Sequence, residues 1–326
     1  MAITVTKAFT DFNKEIINLS KERTDKARIS RTWLFNQLNG LDSKADLDFP
    51  FKYESNNLNF GSFERKTKIR ELDYVDLMLC LTANGATYTK FSNILYKINT
   101  SNAGKRLKNL SDNDILNSRK MVNKVKNSLS KISQYNSAEL HSREEAATLN
   151  LISYEWSFDI VPCFYTDNSF YLIPDGQGNW KPSDPRVIQT MITDENQEKK
   201  GRLLQLIRTL KYWNRRNSTF TIGSYFFENL VINYSKSKSE LCQWIEFDIK
   251  SFFSFVSQEI YHITYDPAGY QGNLNIFSSS EKNSISQKAK WAYHKAVEAI
   301  KAETEENDMT KAIKLWREIF GNSFPK

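Results

Sequence analysis

The chain has 326 residues and a formal net charge of +7, with 40% hydrophobic and 25% charged residues. This composition is ordinary for a globular protein with room for one large domain or for two lobes. No stretch approaches the roughly 18 consecutive apolar residues of a transmembrane helix, so a membrane span is excluded. The N-terminal stretch becomes charged too early for a secretory signal, and we expect a cytoplasmic protein without a membrane partner.

Charge and cysteines limit the function only loosely. The positive charge suits an anionic ligand such as a nucleotide or a nucleic acid, but it fits equally well a lysine-rich surface that keeps the protein in solution. Cys80, Cys163 and Cys242 lie far apart and lack metal-binding spacing. We expect buried thiols rather than disulfides or a zinc site.

The first half of the chain predicts helices followed by an apolar strand. Residues 8–40 are predicted to be mainly helical, and 50–60 extended. Residues 75–81 form a continuous apolar run typical of a strand that is buried on both faces. The Lys-rich segment 101–136 repeats apolar residues at helical spacing, which predicts a basic amphipathic helix.

The second half predicts strands and then helices. A β region is expected at 150–174, and the Gly- and Pro-rich segment 173–185 is expected to be an irregular loop. Helices are predicted at 201–216, 223–234, 240–260, 284–301 and 310–320. The pattern indicates an α+β fold in which an N-terminal α/β lobe precedes a C-terminal helical lobe.

Three carboxylates accompany a glycine turn. Gly61 and Ser62 lie a short distance before Asp73 and Asp76, and Asp159 lies in a second apolar strand. A phosphate-binding turn beside carboxylates on neighbouring strands is what a metal-dependent nucleotidyl transfer site needs, because acidic side chains must hold Mg²⁺ against a polyanionic triphosphate.

The segments that carry a family resemblance follow one another in a fixed order. They are Gly61-Ser62, Thr67-Lys68-Ile69-Arg70, VDLMLCL, FDIVPCF, IPDGQGNW, LIRTLKYWN and GSYFFEN, with DPAGYQGNL further on. In this order the chain resembles the cGAS/DncV-like nucleotidyltransferases, a branch of the polymerase-β-like superfamily. The resemblance implies a polymerase-β-like catalytic core with a mixed sheet over residues 1–190. It also implies a helical lobe over residues 191–326, with the active site in the cleft between them.

The resemblance also assigns roles to single residues. It implies that Asp76 and Asp159, with Asp73, are catalytic residues and ligands of Mg²⁺ or Mn²⁺. Gly61 and Ser62 would hold the triphosphate, helped by Lys211 and Ser224, and Tyr225 would stack on the base.

One position departs from the family pattern. The family places two metal-binding acids fourteenth and sixteenth from the turn glycine, and here those positions hold Tyr74 and Asp76. Residues two apart share a face of a strand, so Asp73 points away from Asp76 unless a bulge re-aims it. Either a bulge lets Asp73 serve, or the site has only Asp76 and Asp159 and is impaired.

The resemblance implies an enzyme that joins NTPs, ATP among them, into a cyclic di- or trinucleotide. This product would be a second messenger that activates an antiphage effector. One alternative is a nucleotide-binding homologue without catalysis, and another is a template-free RNA or DNA nucleotidyltransferase that uses segment 101–136. No Cys/His cluster suggests a zinc-ribbon DNA sensor, so long duplex DNA is not the expected activator. A nucleic-acid partner is possible but not expected.

Overall fold

The computed structural model describes residues 4–135, 138–151, 153–216 and 220–326. Asn136 and Ile152, which fall within predicted elements, lie outside this range. The chain divides into two compact units. We call Lys21–Glu64 with Leu72–Val187 the sheet unit, and Met1–Ser20 with Arg65–Glu71 and Ile188–Lys326 the helical unit. No helix of the described residues is long and apolar enough to cross a membrane.

The sheet unit contains a mixed β-sheet. Its strands are β1 (Leu58–Phe60), β2 (Tyr74–Leu81), β3 (Thr87–Lys90), β4 (Tyr96–Asn99), β5 (Ser111–Asp112), β6 (Ile115–Leu116), β7 (Glu139–Arg143), β8 (Ala146–Asn150), β9 (Ser157–Tyr165), β10 (Tyr171–Pro174) and β11 (Trp180–Ser183). The main path runs β1-β2-β9-β10-β11-β4-β6-β5, with β3 paired to β4, β8 to β9, and β7 to β8. β2 and β9 run parallel to each other, whereas their other neighbours pair antiparallel.

β2 and β9 are covered unequally along their length. From Leu77 on β2 and from Ile160 on β9, the residues are buried up to Leu81 and Phe164. The first residues of each strand instead alternate between half-buried and buried. The start of the two strands therefore leaves one face of the sheet partly open, while the rest of both strands lies in the core.

The helices follow from amphipathic patterns and local caps. They are α1 (Val5–Phe12), α2 (Lys21–Leu38), α3 (Gly61–Glu64), α4 (Lys105–Lys108), α5 (Ser118–Leu129), α6 (Pro185–Glu198), α7 (Leu203–Arg216), α8 (Ser224–Lys236), α9 (Ile245–Glu259), α10 (Ser279–Thr304) and α11 (Met309–Phe320). α5 starts where the Asn117 side chain accepts hydrogen bonds from two backbone N–H groups, and it buries Met121, Val125 and Leu129. The basic amphipathic helix predicted within 101–136 is thus confirmed.

The helical unit has its own core. An alanine stripe on α10 (Ala289, Ala292, Ala296 and Ala299) is fully buried, and α10 begins with a capping box between Ser278 and Glu281. Small side chains let neighbouring helices approach closely, so the stripe allows a tightly packed helical layer.

The α+β class, with a mixed sheet and a helical C-terminal part, is confirmed. The buried free thiols are confirmed for Cys80 and Cys163, and Cys242 is free and half-buried. The irregular loop predicted over 173–185 is wrong in part, because Trp180–Ser183 pairs with β10 as a hairpin. The Asp-Gly signal marks only the turn, where the Asp175 side chain accepts hydrogen bonds from the backbone of Gln177 and Asn179.

Candidate active site

Two carboxylates stand side by side on the open face of the sheet. Asp76 of β2 is the register partner of Asp159 of β9. Neighbouring strands lie about 4.8 Å apart, and register partners project from the same face. Two carboxylates on neighbouring strands can both bind one cation placed between them.

The strand register shows which residue shares the face of Asp76. β2 and β9 pair without interruption from Tyr74 to Leu81, so no bulge changes the alternation of side chains. The backbone N–H of Tyr74 donates a 2.9 Å hydrogen bond to Oδ1 of Asp73. The position beside Asp76 on its face belongs to Tyr74, and the role of Asp73 as a metal ligand stays a prediction.

Asp159 is half-buried and has one polar partner on the neighbouring strand. Oγ1 of Thr148, a buried residue directly opposite on β8, donates a 2.6 Å hydrogen bond to Oδ1 of Asp159. Burial raises the pKa of Asp159 above its ordinary value, while the Thr148 hydrogen bond and the charge of Arg143 oppose this rise. Asp159 therefore takes up a proton more readily than an exposed aspartate does.

Gly61 forms a close backbone contact with Asp76. It has a φ of +78°, and a Cβ added there would meet Oδ2 of Asp76 at 1.8 Å. Gly61 begins α3 directly after β1, whose last residue, Phe60, is the register partner of Asp76. The glycine turn and the carboxylate pair thus belong to one piece of structure, with Ser62 half-buried as the next residue.

The side chain of Tyr74 contacts an arginine of the sheet unit. Nη1 of Arg143, the last residue of β7, donates a 2.8 Å hydrogen bond to Oη of Tyr74. The guanidinium carbon also lies 5.5 Å from the centre of the Tyr74 ring. The position where the family pattern has an acid therefore holds a tyrosine hydroxyl bound to an exposed arginine.

The residues of this face fit a divalent metal ion. Mg²⁺ and Mn²⁺ take oxygen ligands, which the paired carboxylates of Asp76 and Asp159 supply. Among the described residues, no three His, Cys, Asp or Glu side chains form a group that could hold a metal.

The predicted nucleotide-binding residues Lys211, Ser224 and Tyr225 lie in the helical unit. Nζ of Lys211 donates a 2.8 Å hydrogen bond to Oε1 of the fully buried Glu228. Ser224 is exposed at the start of α8. Oη of Tyr225 donates a 2.5 Å hydrogen bond to Oδ1 of Asp266. Their roles, like those of Gly61 and Ser62, stay predictions.

Glu228 links several of the family motifs. It accepts hydrogen bonds of 2.8 Å from Nε of Arg65, from Oγ1 of Thr67 and from Lys211. Burial pushes the pKa of Glu228 upward, but the charges of Arg65 and Lys211 outweigh burial and hold it below its usual range. Lys211 is thereby fixed in place by a charged partner rather than extended on a solvated helix face.

Sequence reasoning missed the partners of these residues. Thr148 and Arg143 gave no motif. The antiparallel register of β8 and β9 brings Thr148 to Asp159, and the pairing of β2 with the distant β9 brings Tyr74 within reach of Arg143. Asp266 and Thr67 lie within the segments that carry the family resemblance, and this position could have identified them as site residues. Glu228 follows Tyr225 by three residues, and a charged residue in an apolar helix stretch was the signal for it.

Comparison of the sequence with known proteins gives two informative relatives. The protein named "probable cyclic nucleotide synthase" of Bacillus cereus strain VD146 is 40% identical over 333 residues, covering 100% of this chain and 99% of that protein. The cyclic AMP-AMP-AMP synthase of Acinetobacter sp. strain ATCC 27244 is 29% identical over 176 residues, covering 52% of this chain and 50% of that protein. No protein-family model matches the chain.

Solved structures show the same fold. CdnC of E. coli MS115-1 superposes with a TM-score of 0.74 in its HORMA-deltaN complex and 0.73 with ATP, at 17% identity and over 100% of this chain and at least 99% of CdnC. DncV of E. coli, bound to 3'-deoxy GTP, gives a TM-score of 0.69 at 13% identity, over 96% of this chain and 94% of DncV. The polymerase-β-like fold expected from the sequence is confirmed.

The chain therefore belongs to the cGAS/DncV-like nucleotidyltransferases, and it is an enzyme of the nucleotidyltransferase class. The full-length similarity to the Bacillus cereus protein places it among the relatives named cyclic nucleotide synthases.

Gly61→Ala tests the contact between the turn and Asp76. The added methyl group would overlap Oδ2 of Asp76 at a backbone conformation that favours glycine, so we expect nucleotidyl transfer to fall by about 100-fold or more. The measurement is the initial rate of NTP consumption, with thermal unfolding as a check on folding. Gly40→Ala is the matched control, because its nearest neighbouring atom is 3.8 Å away. Equal rates in the two variants would contradict the prediction.

Thr148→Val tests the environment of Asp159. The substitution keeps the shape but removes the hydrogen bond that stabilises the charged carboxylate, so the pKa of Asp159 rises further. Activity that needs the carboxylate form is lost as the pH falls through this pKa, and the acid limb of the pH–rate profile should move to higher pH. Thr148→Ser, which keeps a hydroxyl, should leave the limb near its original position. A limb that stays in place or moves to lower pH in Thr148→Val would contradict the account.

Proposed function

We propose that this enzyme joins nucleoside triphosphates, ATP among them, into a cyclic di- or trinucleotide and releases pyrophosphate. The single observation that carries the proposal is the register pairing of Asp76 with Asp159 beside the Gly61 turn. The relatives named cyclic nucleotide synthases and the CdnC structure with ATP support it.

The proposed reaction is the attack of a ribose hydroxyl on the α-phosphate of an NTP. Asp76 and Asp159 would hold Mg²⁺ or Mn²⁺, which supplies Lewis-acid activation of the hydroxyl and neutralises the leaving pyrophosphate. The Gly61 backbone and the Ser62 hydroxyl would bind the triphosphate through oriented N–H and O–H donors. Asp159 is the group that would orient the attacking hydroxyl and accept its proton.

Three further residues have proposed contacts with the nucleotide, which the family resemblance implies. The Glu228 partner fixes the ammonium group of Lys211, which would bind the phosphates, and Ser224 would add a hydroxyl. Tyr225 would stack on the base, and its hydrogen bond to Asp266 would hold the ring in one orientation. Fixed positions of this kind lower the entropic cost of bringing two nucleotides together.

We propose that the product serves as a second messenger that activates a downstream antiphage effector in the cytoplasm. This step rests on the family of the chain and not on the site. Binding of nucleotides without transfer is the second candidate function, because Tyr74 takes the place of an acid beside Asp76.

Incubation with labelled ATP, GTP, CTP and UTP in Mg²⁺ and in Mn²⁺ tests the proposal. We expect a phosphatase-resistant oligonucleotide, identified by mass, together with pyrophosphate. Asp76→Asn and Asp159→Asn should each reduce product formation by about 100-fold or more, since each removes a charged metal ligand. Asp25→Asn, at a half-exposed position of α2, makes the same chemical change and should leave the rate unchanged.

Other outcomes separate the alternatives. NTP binding by calorimetry without any product or pyrophosphate would contradict the proposal and favour the binding-only homologue. Linear products extended from added RNA or DNA, with binding that weakens steeply as salt rises, would favour a template-free nucleic-acid nucleotidyltransferase.

A further inference from the structure

The Tyr74–Arg143 pair lies across the carboxylate face. The strands in this part of the sheet follow the order β2, β9, β8, β7, so Tyr74 on β2 and Arg143 on β7 are separated by two intervening strands. Their side chains nevertheless meet at 2.8 Å. The two hydrogen-bonded side chains therefore cross over β9 and β8.

The strand registers place the Tyr74–Arg143 pair and the carboxylates on the same face. Asp76, Asp159 and Thr148 are aligned register partners across β2, β9 and β8, and Thr148 is in turn aligned with His141 of β7. Tyr74 lies two residues before Asp76, and Arg143 two residues after His141, so both project from this face. The charge of Arg143 acts on Asp159, where it partly offsets the rise in the pKa of that carboxyl that burial causes.

Tyr74 orients Arg143 through two contacts. Its hydroxyl accepts the hydrogen bond from Nη1, and its ring lies 5.5 Å from the guanidinium carbon, within the range of a cation–π contact. A tyrosine hydroxyl is a poor ligand for a hard cation but a good acceptor for a guanidinium. A tyrosine at position 74 is thus suited to bind an arginine side chain, whereas an acid at this position would be suited to bind a metal ion.

Polymerases and related phosphoryl-transfer enzymes commonly use a pair of divalent ions. We infer that Arg143, positioned by Tyr74, takes the place of one ion of such a pair, so that the enzyme binds a single divalent ion with its nucleotide. This inference rests on the proposed function and specifies which cations neutralise the substrate at the same site. Two carboxylates with one guanidinium and one divalent ion carry the same net charge as three carboxylates with two divalent ions. The neutralisation needed for a polyanionic substrate is therefore retained although an acid is missing.

Arg143 is suited to this role because its guanidinium is exposed and charged at every accessible pH. Its planar donors can bind a phosphate oxygen pair in a bidentate way while one N–H stays on Tyr74. Tyr74 is the positioning residue, and Arg143 is the residue that contacts the phosphates.

Counting bound Mn²⁺ tests the inference without any need for turnover. Protein with a non-hydrolysable NTP analogue is titrated with Mn²⁺, and bound ions are counted by electron paramagnetic resonance and by calorimetry. We expect one Mn²⁺ for each protein–nucleotide complex in the wild type. Tyr74→Asp, which restores an acid and releases Arg143, should bind two. Two ions in the wild type would overturn the inference and leave the proposed function intact, whereas no ion at all would overturn both.

A kinetic series gives a second, independent test should Tyr74→Asp fail to fold. Arg143→Ala should lower product formation by about 100-fold, as expected when a cation that stabilises transition-state charge is removed, and Arg143→Lys should recover part of the rate. Tyr74→Phe keeps the ring but loses the hydroxyl, and it should lower kcat more than it raises KM. Arg28→Ala, an exposed arginine of the sheet unit, is the control. A rate for Arg143→Ala equal to that of Arg28→Ala would overturn the inference.

Discussion

The parallel register of β2 and β9 is the constraint on which the candidate site depends. It places Asp76 directly beside Asp159, and a shift by one residue would move one carboxylate to the opposite face. The core fixes this register, because the later residues of both strands are buried on both faces and cannot slip without exposing apolar surface. The apolar packing therefore stabilises an arrangement of two like charges that repel each other.

Neighbouring residues hold the two carboxylates in position. Gly61 lets the backbone turn approach Asp76, and Thr148 donates a hydrogen bond to Asp159. These contacts hold both oxygens in place before any cation or nucleotide binds, which is the preorganisation that electrostatic catalysis requires. Arg143 adds a positive charge over the same face, held there by Tyr74. The site thus combines fixed negative and positive charges within one rigid sheet.

Sequence alone was sufficient for the fold class and for the pairing of carboxylates, because β2 and β9 are long apolar runs in which an aspartate stands out. It could not show that Tyr74 binds Arg143, since that contact depends on the order of strands that are not consecutive in the chain. The hairpin at Trp180–Ser183 was missed because turn residues mask a short flanking strand. The buried partner of Lys211 was missed for a related reason. Glu228 lies on another helix, and helix packing cannot be read from spacing.

The central claim is that Asp76 and Asp159 together bind the metal ion at which NTPs react. The most direct measurement is the anomalous scattering of Mn²⁺ in crystals of the enzyme with a non-hydrolysable ATP analogue. The account predicts an anomalous peak within coordination distance, about 2.0–2.3 Å, of oxygens from both carboxylates and from the analogue's phosphates. A peak at other residues, or a nucleotide bound with no peak between Asp76 and Asp159, would contradict it.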